Sequence, residues 1–146
     1  GYWHDPEASQ DKFVEGVLHT GDLATVDEDG YIFVVDRKAD FIKSFGFRVS
    51  SQRVEECILE VKDVVGAAVI GEPDMVRGEA IWAFVVPRTG ANLTKEIIQT
   101  HCAERLANYM VPKEVVFMDR LPMNAHGKIV KNELRRLAAQ AGAEKQ

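Results

Sequence analysis

The chain has 146 residues, 46% hydrophobic and 28% charged, which is ordinary globular material with enough apolar surface for one compact core. Its net charge of −5 argues against nucleic acid as the main partner, because such partners call for a concentrated basic face. There is neither a run of about eighteen apolar residues nor a basic-then-apolar leader, so no transmembrane segment or secretory signal is expected and the chain reads as cytoplasmic.

The opening Gly1-Tyr2-Trp3-His4-Asp5-Pro6 has no helix cap and no strand alternation, and its two aromatics would normally want a partner surface, so it reads as a cut end. Short apolar runs then surround Asp27-Glu28-Asp29-Gly30, an acidic turn ending in glycine that predicts a hairpin of Leu23–Val26 with Tyr31–Val35. Phe41-Ile42 and Phe47-Arg48-Val49 flank Lys43-Ser44-Phe45-Gly46 as a second small hairpin, whose glycine permits a positive φ or a close backbone approach. Ser50 or Ser51 caps a helix with Val54, Cys57, Ile58 and Val61 on one buried stripe.

Val64–Ile70 and Ala80–Val86 read as core strands joined by a turn-rich connection through Gly71-Glu72-Pro73-Asp74 and Gly78, with Trp82 as packing. Thr94 caps a second helix carrying Ile98, Cys102 and Leu106, expected to stop before Val111-Pro112. Val115–Met118 is a further strand, Leu121–Gly127 a loop, and Lys131–Gln140 a last helix fraying into the tail. This order predicts an α+β fold in which a small sheet packs with about three helices.

Three polar clusters sit on turns or loops between apolar segments: His19-Thr20-Gly21-Asp22, Asp36-Arg37-Lys38-Ala39-Asp40 and His126-Gly127-Lys128. They supply a carboxylate, a guanidinium and an ammonium on loops, where chemistry tends to sit, and together they fit a phosphorylated, hydroxyl-bearing ligand. Asp22 offers the two acceptor oxygens that a ribose cis-diol needs, or serves its own turn. Arg37 suits a phosphate or ribose clamp, or a salt bridge with Asp22, Asp36 or Asp40.

Lys128 follows Gly127, past which its ammonium can extend, although a solitary loop lysine also fits plain surface. It is not in a Walker phosphate loop, since Pro122 stands in place of the first glycine and Ile129 in place of Ser or Thr. Residues 120–136 carry five basic residues against Glu133, which suits an anion or a solvated helix face. Cys57 and Cys102 lack metal-ligand or Cys-x-x-Cys spacing and read as buried thiols, so no metal site is expected; His19, His101 and His126 have no paired nucleophile.

Several stretches resemble, in order, the C-terminal motifs of the adenylate-forming superfamily of acyl-CoA synthetases, aryl-CoA ligases, luciferases and peptide-synthetase adenylation domains. They are Leu18-His19-Thr20-Gly21-Asp22, Tyr31–Arg37 leading to Gly46-Phe47-Arg48-Val49 and Val54-Glu55, Leu106–Pro112, and Leu121-Pro122 to Gly127-Lys128-Ile129 with Leu134-Arg135. The resemblance implies that residues 1–36 are the end of a large N-terminal AMP-binding domain, 37–40 a hinge, and 41–146 a mobile C-terminal lid. It further implies that Asp22 and Arg37 contact the nucleotide, that Lys128 is the catalytic lysine of adenylation, and that Lys43, Gly46 and Arg48 lie on the thiol-acceptor side. The pivot falls on Lys38, Ala39 and Asp40, with Ala39 where the superfamily usually has Asp or Lys.

The implied function is an AMP-forming acid:thiol ligase, most like an acyl-CoA synthetase, using ATP with Mg and coenzyme A on a small carboxylic acid. Its partner is the chain's own N-terminal domain, without which this stretch is expected to be inactive. The alternatives are a non-catalytic α+β binding module and, within the superfamily, a peptide-synthetase adenylation domain.

Overall fold

A computed structural model describes residue 4, residues 6–37 and residues 41–143, and it falls into two compact units, Gly1–Ala39 and Asp40–Gln146. The hinge residues Lys38, Ala39 and Asp40 lie outside the described residues.

In the first unit, helix α1 (Pro6–Lys12) is followed by a minimal hairpin of β1 (Phe13–Val14) with β2 (Val17–Leu18). None of these was expected from the sequence, yet α1 opens on Pro6 and Glu7, which suit the first turn of a helix. Strands β3 (Asp22–Val26) and β4 (Ile32–Arg37) form the expected antiparallel hairpin. Its turn is closed by Asp27, whose Oδ1 accepts the backbone N–H of Asp29 at 3.0 Å and of Tyr31 at 2.9 Å.

The second unit is an α+β sandwich. Strands β5 (Phe41–Ser44) and β6 (Phe47–Ser50) form the second expected hairpin, and helix α2 (Ser51–Leu59) follows, with Ser50 Oγ capping the N–H of Arg53 at 3.4 Å. Strands β7 (Val64–Asp74) and β8 (Gly78–Pro87) pair antiparallel along their length. The other edge of β8 meets β5 at Ser44 and takes β9 (Glu114–Phe117) in parallel from Trp82 to Val85. Helix α3 (Lys95–Arg105), capped by Thr94, lies between β8 and β9 in sequence, and α4 (Lys131–Ala143) ends the unit.

Alternate residues of β7 and β8 serve two cores. Val69, Ile81, Ala83 and Val85 pack with Val54, Cys57 and Ile58 of α2 and Ile98 and Cys102 of α3. Ile70, Trp82 and Phe84 pack on the opposite face with Leu121 and with Leu134 and Ala138 of α4. Burying such side chains stabilises each face by about 1.5–3 kcal/mol per large residue.

Two sequence expectations are corrected here. Gly71-Glu72-Pro73-Asp74 is not a connection but the end of β7, in register with Ile81 to Gly78 of β8. Pro73 is tolerated because β7 pairs with β8 alone and is an edge strand. Gly71 is required by close approach: a Cβ there would stand 2.9 Å from Ile42 Cγ2 and 3.0 Å from Glu79 Oε1. Helix α3 ends at Arg105, with Leu106 already extended, so proline at 112 is not what stops it; Val111 is extended as a residue before proline should be.

Candidate functional site

Lys128 sits at the end of a loop closed as a miniature hairpin. Met123 and Ile129 form an antiparallel bridge, Asn124 N–H donates to the Lys128 carbonyl at 2.9 Å, and Val130 N–H donates to the Pro122 carbonyl at 2.8 Å. The Asn124 side chain closes the loop from inside, its Oδ1 accepting the N–H of His126 and of Lys128, each at 2.9 Å. Gly127 has φ +73°, and a Cβ built there would meet nothing within 4 Å. Glycine is therefore needed for backbone conformation, not to clear a path for the lysine.

The loop is also fastened from behind. Lys131 opens α4, and its Nζ donates to Ser51 Oγ at 2.7 Å and lies 3.2 Å from Glu55 Oε1. Glu55 is itself oriented by the Val69 N–H at 2.9 Å. This half-buried latch ties the segment three residues past Lys128 to the start of α2 and to β7. Lys128 itself is exposed, and among the described residues its ammonium has no ion-pair partner. A fixed backbone thus carries a free cation on a flexible stem.

The β5–β6 hairpin carries the second group of expected site residues. Phe45 and Gly46 form its two-residue turn with φ of 51° and 82°, both positive as the hairpin-favoured type I′ turn requires. Lys43 and Arg48 are direct cross-strand partners, both exposed. Like charges facing each other across a pair destabilise it, so this placement concentrates positive charge at a cost to the hairpin. Arg77 lies over the Phe45 ring at 5.1 Å, and Phe47 stacks on Tyr109 with centroids 4.3 Å apart.

In the first unit, Asp22 and Arg37 are Cα partners at the open end of the β3–β4 hairpin, so the structure brings the expected nucleotide pair opposite each other. The Arg37 side chain lies outside the described residues. Thr20 Oγ1 accepts the Asp22 backbone N–H at 3.2 Å.

Cys57 and Cys102 are free and buried on α2 and α3. Burial pushes the Cys102 thiol up to about 12 and raises Cys57 as well, so both stay protonated and are poor nucleophiles. Sequence reading missed Asn124, Glu55, Ser51 and Lys131. The Asn-x-x-Gly spacing was visible as a turn signal, whereas Ser51 and Lys131 are 80 residues apart.

The second unit is thus a two-faced α+β domain with Lys128 on a locked loop just before its last helix. The chain belongs to the AMP-binding enzyme C-terminal domain family, whose model matches residues 53–128. It is 47% identical over 135 residues to a long-chain-fatty-acid-CoA ligase of Yersinia pestis, covering 92% of this chain and 24% of that protein. It is 45% identical over 136 residues to a feruloyl-CoA synthase of Amycolatopsis, covering 93% of this chain and 28% of that protein.

Among solved structures, ATP-bound MatB from Rhodopseudomonas palustris matches with a TM-score of 0.83 at 36% identity, over 94% of this chain and 27% of that one. The o-succinylbenzoate CoA synthetase of Bacillus subtilis, in complex with its acyl-adenylate intermediate, matches with a TM-score of 0.79 at 34% identity, over 92% of this chain and 27% of that one. The chain thus spans about a quarter of the length of the relatives it matches. Among the described residues, no helix is long and apolar enough to cross a membrane.

Proposed function

We propose that this chain is the C-terminal part of an ATP-dependent, AMP-forming acyl-CoA synthetase. In the first half-reaction a substrate carboxylate oxygen attacks the α-phosphorus of ATP, the bond to the bridging oxygen breaks, and pyrophosphate leaves. In the second, the thiolate of coenzyme A attacks the acyl carbon, and AMP leaves with the oxygen it gained.

Lys128 acts in the first step. Attack by one anion on another concentrates negative charge, and a positioned ammonium in a water-poor cleft offsets it by on the order of 3 kcal/mol. The observation that carries this reading is the ammonium of Lys128, without an ion-pair partner among the described residues, on a loop whose backbone is locked by Asn124 and whose exit is latched by Lys131. Asp22 holds the ribose hydroxyls and Arg37 contacts the nucleotide nearby. Residues 1–36 then close the larger domain, which holds most of the ATP, the Mg ion and the acyl pocket.

The lid, residues 41–146, turns about Lys38, Ala39 and Asp40 between the two steps, withdrawing Lys128 and presenting the β5–β6 hairpin. Lys43 and Arg48 meet the anionic part of coenzyme A, and Gly46 lines the passage of its thiol. Support comes from the facing cations on this hairpin, whose mutual repulsion an anionic ligand relieves.

The test is Lys128→Ala in the complete protein. Acid-dependent pyrophosphate exchange is expected to collapse while thioester formation from supplied acyl-adenylate survives. Equal loss of both refutes the division of labour.

A further inference from the structure

Apart from the Lys128 loop, a second cluster joins the end of α2 to α3. Cys57 on α2, Glu60 at that helix's C-cap and His101 on α3 bring a thiol sulfur, a carboxylate oxygen and an imidazole nitrogen all within 4.8 Å of one another. The His101 Nε2 to Glu60 Oε2 separation is 3.6 Å. Two such ligands on a tetrahedral zinc ion, with bonds of about 2.0 Å, stand about 3.3 Å apart, so a small side-chain adjustment suffices.

The polar satisfaction of the cluster points the same way. His101 Nε2 is buried and makes no hydrogen bond among the described residues; it faces Glu60 Oε2 at 3.6 Å, just beyond hydrogen-bonding distance, a gap that a shared ion between the two would close. Cys57 is 3% exposed and its thiol contacts that of Cys102, which forms a dry inner wall. The Glu60 side chain is 57% exposed, which opens the cluster to solvent on one side. Its Oε2 also meets Arg105 Nε at 3.3 Å, a contact that orients the carboxylate and that an ion would share.

We propose that Cys57, Glu60 and His101 form a binding site for a borderline-soft divalent cation, Zn2+, with water as the fourth ligand, fastening the end of α2 to α3. A thiolate with an imidazole selects Zn2+ over Mg2+ or Ca2+, which prefer oxygen donors alone. The metal displaces the Cys57 proton to water against the burial that otherwise keeps this thiol protonated, and thiolate and carboxylate together neutralise its charge. Linear spacing could not reveal the site, because the ligands follow no Cys-x-x-Cys pattern and come from two helices.

The intact protein, stripped by a chelator and kept reduced with a phosphine, is titrated with Co2+ alone and then with Zn2+. The expected result is a thiolate-to-cobalt charge-transfer band that stoichiometric Zn2+ bleaches and that Cys57→Ser lacks. Zn2+ affinity is expected to fall about tenfold or more in His101→Ala and in Glu60→Gln. Glu60 is exposed, so its variant decides the matter even if Cys57→Ser fails to fold. Equal Zn2+ uptake by wild type, His101→Ala and Glu60→Gln, or an identical cobalt spectrum in wild type and Cys57→Ser, overturns the proposal.

Discussion

Two turns in the second unit carry its expected site cations, and they are stiffened by different mixes of contacts. The Lys128 loop is locked by polar bonds: one asparagine oxygen holds two backbone N–H groups, and a lysine latch holds the segment that follows. The Phe45–Gly46 hairpin also has polar bonds, Phe45 N–H to the Arg77 carbonyl at 2.8 Å and Lys43 N–H to Glu79 Oε2 at 2.6 Å. It adds ring contacts that the Lys128 loop lacks among the described residues, with Arg77 over Phe45 and Phe47 on Tyr109. Polar locks are directional and lose their geometry when one atom goes, whereas ring contacts degrade by area. The difference suits a loop that places one charge accurately and a hairpin that offers a broader cationic surface.

The sharpest break of this contrast is Lys128→Ala. It is expected to lower pyrophosphate exchange on the order of 10²–10³-fold while leaving the melting temperature unchanged, because the side chain is exposed and has no ion-pair partner among the described residues. Next comes Lys131→Met, which keeps the stem and removes the charge. With Lys131 and Glu55 side chains 21% and 18% exposed, the loss is expected to be about 1–2 kcal/mol in urea unfolding, below that of a fully buried pair. Adenylation should slow in this variant while thioester formation from supplied adenylate does not; equal slowing of both would mean that the latch supports the domain without placing the lysine.

Gly127→Ala is expected to cost about 1–2 kcal/mol through its φ of +73° alone, since the space around it is open. Denaturant unfolding of this variant beside Gly127→Asn, which tolerates that backbone better, checks the cause: equal losses would point to something other than φ. In the hairpin, Phe47→Ala removes the 4.3 Å stacking on Tyr109 and should cost about 1 kcal/mol, with any kinetic defect confined to the thiol step. A defect in pyrophosphate exchange would erase the proposed contrast between the turns.

The smallest expected effect lies in acid. Asp74 is held at about 2, first by the Lys113 ammonium at 2.6 Å and then by the backbone N–H groups of Arg77 and Val76. A carboxyl lowered in the folded state contributes stability above its unfolded value of 3.8, and loses that contribution as pH falls toward about 2. Asp74→Asn should therefore flatten the acid side of the stability profile between those values; an unchanged profile would show that this contact adds nothing.

Elements specified by neighbours were legible in the sequence. The β3–β4 and β5–β6 hairpins, the α2 stripe with its cap at Ser50 or Ser51, and the Leu121–Gly127 loop each declare themselves within about ten residues, by period or by turn chemistry. Helix α1 is not legible in the sequence although Pro6 and Glu7 suit its first turn, because seven residues give too little periodicity. Gly71 and Pro73 misled, since the tolerance of an edge strand and the close approach of Ile42 and Glu79 are tertiary facts. The Lys131 latch and the meeting of Cys57 with His101 were invisible for the same reason. Asp22, Arg37 and Lys128 stood out as residue types, but only the register of β3 with β4 puts the first two opposite each other.

The most direct test is a crystal structure of the intact protein bound to a non-hydrolysable acyl-adenylate analogue in the first-step conformation. The Lys128 Nζ is predicted within hydrogen-bonding distance of the oxygens joining acyl group and phosphate. An ammonium left in bulk solvent beside a fully occupied cleft would contradict it.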